Sequence, residues 1–76
     1  MYILDILNKL KWDKNLNPET YTIIYLDNII KRELSFKEIK NFNNLTLTIE
    51  KEDNNIQIPL HKIREIKEGE KIIWKR

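Results

Sequence analysis

The most versatile side chain for chemistry in this sequence is its only histidine, His61, which stands in the run Pro59-Leu60-His61-Lys62-Ile63-Arg64. An imidazole has an ordinary pKa of about 6.5, so at neutral pH it can donate to a phosphate oxygen. Two cations, Lys62 and Arg64, follow within three positions and add positive potential. The pattern therefore suits recognition of a phosphorylated ligand. A histidine in a turn can equally serve the backbone by bonding a carbonyl of its own turn. One histidine and no cysteine fall short of the three or four ligands of a common zinc site, so neither a metal nor a cofactor is expected. The single glycine is too few for a phosphate-cradling loop, and no nucleophile elbow, P-loop or paired-carboxylate motif is present. Catalysis has no visible machinery, and the chain reads as a non-enzyme.

Further basic and aromatic residues widen the possible interface. Lys31, Arg32, Lys37 and Lys40, with Lys62 and Arg64, could gather on one face and contact phosphates. Glu33, Glu38 and Glu65 are interleaved with them, so a solvated, largely cancelled surface is the competing reading. Tyr25, Tyr21, Trp12 and Trp74 could stack on bases, although in so short a chain aromatic side chains are also needed to fill the interior. Fourteen basic against twelve acidic residues leave a net charge of +2, too balanced to identify a nucleic-acid binder by charge alone.

These residues need a scaffold, and 76 residues make one domain spanning 1–76. A hydrophobic fraction of 41% argues against disorder, and a charged fraction of 34% argues for a well-solvated surface. No run of about 18 apolar residues is present to span a membrane, and the N-terminus lacks the plan of a secretory signal. A soluble, cytoplasmic protein is the expectation.

Ile3, Ile6, Leu7 and Leu10 recur at helical spacing, which predicts an amphipathic helix over residues 2 to 11, with Trp12 continuing the stripe. Residues 13 to 19 form a loop by their Asn and Pro content. Tyr21 to Leu26 is β-branched and aromatic and apolar on both alternating sets, as in a central strand covered on both faces. Asp27 and Asn28 offer a turn into a second strand, Ile29 to Leu34, with Lys31 and Glu33 on its wet side. Ser35 to Phe42 fits a helical turn entering a strand or a short helix, and Asn43 and Asn44 break it. Leu45, Leu47 and Ile49 alternate with polar residues as a strand, and Glu52 to Asn55 forms a hairpin loop into Ile56. Pro59 ends that strand, Leu60 to Ile63 make one helical turn, and Arg64 to Lys67 resume the alternation. Gly69 serves a turn with positive φ before a closing strand over Lys71 to Lys75.

At an offset of 24, residues 34 to 42 match 58 to 66 in character, which implies two copies of a strand, helical turn, strand unit. The predicted fold is α+β, with one N-terminal helix packed on a curved, mostly antiparallel sheet or partial barrel.

The block IPLHKIREI, the turn at Gly69 and the closing IIWKR resemble a family of small, largely archaeal proteins described as the RNA cyclic group end recognition domain. Similar domains occur in eukaryotic multidomain proteins, one of them joined to a two-histidine phosphoesterase. The resemblance runs through LNKLKWD at Leu7 to Asp13, the strand YTIIYLD and the C-terminal block. Pro59, His61, Lys62, Ile63 and Trp74 are its specific part. It implies that His61 and Lys62 lie in a functional turn, with Trp12, Asp13 and Trp74 as signature positions. The implied ligand is an RNA 3′ end carrying a phosphate or 2′,3′-cyclic phosphate; to His61 and Lys62 our reading of the basic and aromatic residues adds Arg64, Lys37, Lys40 and Tyr25 as expected contacts. A second reading is a module docking on an RNA-processing protein through a sheet edge. This sequence departs from the family pattern at Asp27, Asn28 and Ile29, where many members carry a glycine-rich basic turn. It departs again at Lys62, which replaces a bidentate arginine. The abundance of Ile, Lys and Asn suggests an AT-rich, archaeal genome.

Overall fold

The computed structural model describes residues 2–76. One helix, α1 (Ile3–Trp12), precedes seven strands: β1 (Tyr21–Asp27), β2 (Ile30–Ser35), β3 (Ile39–Phe42), β4 (Thr46–Lys51), β5 (Asn54–Pro59), β6 (Ile63–Glu68) and β7 (Lys71–Lys75). The strands form two antiparallel sheets, one in the order β2-β1-β6-β7 and the other β3-β4-β5, and they do not close into a barrel.

α1 forms where the stripe was expected. Ile3, Ile6, Leu7 and Leu10 are buried, Asp5 lies in the first turn, and Lys9 and Lys11 lie in the last, each charge complementing the helix dipole. Trp12 does not continue the stripe; it is 72% exposed. A helix turns by about 100° per residue, so Trp12 lies about 200° round from Leu10 and faces solvent. The buried stripe joins Tyr21 and Ile23 of β1, Leu34, Phe36, Leu47, Ile49, Ile58, Leu60, Ile63 and Ile66 in one core drawn from both sheets. β1 is central in its sheet, and Ile24, on the opposite set from Tyr21 and Ile23, is buried as well.

The internal repeat is present in three dimensions. β2 leads through a 3₁₀ turn at Phe36–Glu38 into β3, and β5 leads through one at Leu60–Lys62 into β6. The first unit carries the chain from the four-stranded to the three-stranded sheet, and the second carries it back. Each copy also holds a β-bulge at the same place. Ile39 opposes Ile49 and Asn41 opposes Thr48, which leaves Lys40 as the extra residue; Ile24 opposes Glu65 and Tyr25 opposes Ile63, which leaves Arg64. Lys40 and Arg64 are the repeat-equivalent pair. A bulge shifts the side-chain period by one, so Ile63 and Ile66, three apart, can both be fully buried. In the first copy Ile39 and Phe42 pack at the edge of the core and stay half-buried.

Several boundaries differ from the sequence pattern: Asp27 belongs to β1 and Ile29 to the turn, where it is exposed, so β2 starts at Ile30. Leu45 lies outside β4 and is exposed, because Asn43 Oδ1 accepts from the N–H groups of Leu45 (2.8 Å) and Thr46 (2.9 Å) and so starts the strand at Thr46. The β4–β5 hairpin turns on Glu52 and Asp53 alone, both at positive φ, while Asn54 and Asn55 belong to β5.

Candidate functional site

His61 sits in the middle of the 3₁₀ turn of the second repeat unit, between a strand ended by Pro59 and the bulged start of β6. Two guanidinium groups hold that turn by its carbonyls. Arg64 donates from Nη1 to the His61 carbonyl at 3.0 Å. Arg76 donates from Nε to the Ile63 carbonyl and from Nη2 to the Leu60 carbonyl, each at 3.0 Å. The backbone of the turn is thus satisfied by arginines, and the imidazole is not needed for that purpose. His61 is exposed, and its ring makes no hydrogen bond to another described residue.

The ring lines an open groove of about 780 Å³ with Tyr2, Ile3, Leu4, Asn44, Leu60, Trp74 and Arg76. Its floor is apolar and comes from the start of α1 and from Leu60. Among the described residues, its polar side-chain groups are an imidazole, a guanidinium, a phenol, an amide and an indole N–H. The Arg76 guanidinium lies 5.3 Å from the centroid of the Trp74 ring, a cation–π contact that fixes the two planes relative to each other. Trp74 and Arg76 are two apart at the end of β7, so they share a face, and the Arg76 N–H extends the ladder by donating to the Arg64 carbonyl at 2.9 Å. Among the described residues, no Asp or Glu side chain lines the groove. A guanidinium, an imidazole and aromatic faces around one hollow are the parts that hold an anion attached to a planar ring.

The other expected site residues lie elsewhere. Lys62 lines a different groove from His61, one between the sheets with Tyr25, in the company of Asp27, Glu33 and Glu38. Lys37 and Lys40 line a third groove, which also holds Glu38, Glu50, Glu52 and Asp53. Lys37 is paired with Glu19 at 3.5 Å, Arg32 with Asp27 at 2.8 Å and Lys31 with Glu65 at 3.9 Å. The basic residues therefore do not form one field. The structure brings His61 and the signature residue Trp74 into one groove and leaves Lys62, Tyr25, Lys37 and Lys40 outside it.

Tyr2, Asn44 and Arg76 are groove residues that the sequence pattern does not single out. For Arg76 a signal exists, namely its two-residue spacing from Trp74 on a strand; Tyr2 and Asn44 lie 59 and 17 positions from His61 and are joined to it only by the fold. Among the described residues, no three of His, Asp and Glu gather closely enough to hold a metal ion, and no helix is long and apolar enough to cross a membrane.

Residues 1–76 match the family described as the MJ1316 RNA cyclic group end recognition domain. The chain is similar to the UPF0248 proteins of three strains of Saccharolobus islandicus, M.14.25, M.16.27 and M.16.4. Each is 33% identical over 81 aligned positions, which cover 100% of this chain and 100% of the relative. No solved structure matches the chain. With the family description spanning every residue and the relatives aligning end to end, the chain belongs to the MJ1316 RNA cyclic group end recognition domain family.

Proposed function

We propose that this protein is a non-catalytic module that binds RNA 3′ ends bearing a phosphate or 2′,3′-cyclic phosphate, and that it does so in the groove of Tyr2, His61, Trp74 and Arg76. The observation that carries this reading is the convergence of the exposed His61, the Arg76 guanidinium and the Trp74 ring on one hollow that no described Asp or Glu side chain lines. In the proposed complex, His61 donates to a phosphate oxygen. Arg76 supplies the positive charge from the donors that remain after two of them are spent on the Leu60 and Ile63 carbonyls. The terminal base lies against the aromatic wall. A cyclic phosphate is a diester with one negative charge, which one guanidinium matches, whereas a doubly charged monoester calls for more positive charge. Cleavage of such an ester requires an acid and a base acting together. Among the described residues the groove offers His61 no Asp or Glu side chain as a partner, in keeping with a binding role.

The test is a binding titration with matched short RNAs ending in 3′-hydroxyl, 3′-phosphate and 2′,3′-cyclic phosphate. The cyclic end is expected to bind most tightly. His61→Ala is expected to weaken it about tenfold, the loss of one charge-assisted hydrogen bond, while leaving the melting temperature unchanged. Affinity should fall only gently with salt, since few phosphates are reached. Equal affinity for all three ends, or a lowered melting temperature with unchanged affinity in His61→Ala, rejects the reading.

A further inference from the structure

Trp12 is one of several exposed large hydrophobic residues, 72% exposed on the side of α1 away from the core. It is not isolated. The Lys11 ammonium lies 5.3 Å from the centroid of the Trp12 ring and 5.4 Å from that of Phe42 on β3, so one cation joins two aromatic rings from different elements. The nearest carboxylate in sequence, Asp13, is turned away into its own loop, where Oδ1 accepts from the Asn15 N–H at 3.0 Å.

This surface is connected to the His61 groove by two routes. Leu4, a wall of the groove, is followed on the same helical face by Asn8 and Lys11 at the i+4 and i+7 positions. Seven helical rises of about 1.5 Å place Lys11 about 10 Å from the groove wall. The β3–β4 loop runs alongside, with Phe42 at one end and Asn44, another groove wall, two residues further on. Along this strip Leu4, Asn8, Lys11, Phe42 and Asn44 are apolar, neutral or positive.

Building on the end-binding reading above, we propose that the Trp12, Lys11 and Phe42 surface holds a base upstream of the bound 3′ terminus, so that the ligand is single-stranded RNA and not a terminal nucleotide alone. An exposed indole offers a stacking face to any base, and the Lys11 ammonium beside it meets the phosphate that links that base to the groove. Stacking on an indole uses the π-face that every base has, so this contact is tolerant of base identity. A duplex end, whose bases are already stacked on one another, has none to give it.

The experiment titrates the protein with a nucleoside 2′,3′-cyclic phosphate, then with a dinucleotide and a hexanucleotide carrying the same end, following the two indole N–H signals by NMR. The Trp74 signal should shift with every ligand and the Trp12 signal only with the longer ones. Affinity should rise with length, and Trp12→Ala should remove about tenfold from the hexanucleotide while leaving the mononucleotide unchanged. Trp12→Phe should restore most of the gain. If affinity does not rise with length, or if Trp12→Ala leaves the gain intact, the inference fails while mononucleotide binding still upholds the end-binding groove. If no cyclic end binds at any length, both readings fail together.

Discussion

Arg64 illustrates how a side chain that looks like a ligand contact can be a positioning residue, and Arg76 shares that task from within the groove. Both spend donors on the carbonyls of Leu60, His61 and Ile63, and so leave the His61 ring free to face the groove. A second residue, Tyr21, links the fold to pH. Its hydroxyl donates to Glu68 Oε2 at 3.3 Å, and its pKa is pushed above the usual tyrosine value, first by burial, then by the charge and hydrogen bond of Glu68, with a smaller push from Asp13. In the unfolded chain the phenol therefore loses its proton at lower pH than in the folded one. The unfolded state then binds fewer protons, so stability falls as pH rises from about 10 towards the raised folded pKa and is unaffected below that window. Melting curves across alkaline pH should fall more steeply for the wild type than for Tyr21→Phe. Parallel curves would show that Glu68 and the core leave this phenol untouched.

At the level of elements, the turns show where the sequence favours its conformation and where it resists. The β6–β7 turn places Gly69 at φ +62, a conformation that suits glycine, and a Cβ there would meet nothing within 4 Å. Gly69→Ala should therefore cost only backbone strain, about 1 kcal/mol. The β4–β5 turn asks the same of Glu52 (φ 50) and Asp53 (φ 66) in a two-residue hairpin for which Asn-Gly is preferred. Replacing them by Glu52→Asn with Asp53→Gly should stabilise the protein by about 1 kcal/mol. For a domain of this size that is a rise in melting temperature of about 4 to 8 °C. A thermal melt of the two variants should show shifts of opposite sign. The repeat belongs to this scale too: matching bulges at Lys40 and Arg64 explain why apolar residues three apart, Ile63 and Ile66, serve strands whose normal period is two.

For the whole molecule, the core is small and shared. α1 and both sheets meet over Leu7, Ile23, Leu47, Ile63 and Ile66, the five most completely buried side chains. Ile66→Ala would remove about 2 to 5 kcal/mol, comparable to the few kcal/mol of net stability of a domain this short. Circular dichroism of this variant at 25 °C should show a largely unfolded chain, or at best a much lowered urea midpoint. The ion pairs contribute little by comparison. The Arg32–Asp27 and Lys37–Glu19 pairs are exposed at both ends, and such pairs contribute less than about 1 kcal/mol each. They act mainly by cancelling the basic surface.

The sequence by itself determined the elements, because their signals are local. The helical stripe of Ile3 to Leu10, the alternation around Leu47 and Ile49, Pro59 as a strand end and Gly69 as a turn each constrain φ and ψ within a few residues. The repeat at an offset of 24 was equally legible, since it compares the chain only with itself. The likeness at Pro59, His61 and Trp74 was enough to point to the family. Tertiary structure alone decided which cations and aromatics share a surface. Residues 61 and 62 are neighbours in sequence, yet a 3₁₀ turn advances by about 120° per residue and sends His61 and Lys62 into different grooves. Tyr2, His61 and Arg76 are remote in sequence, yet the start of α1, the turn after Pro59 and the end of β7 meet in one hollow. Such convergence depends on the packing of one helix against two sheets, a long-range outcome that no window of residues contains.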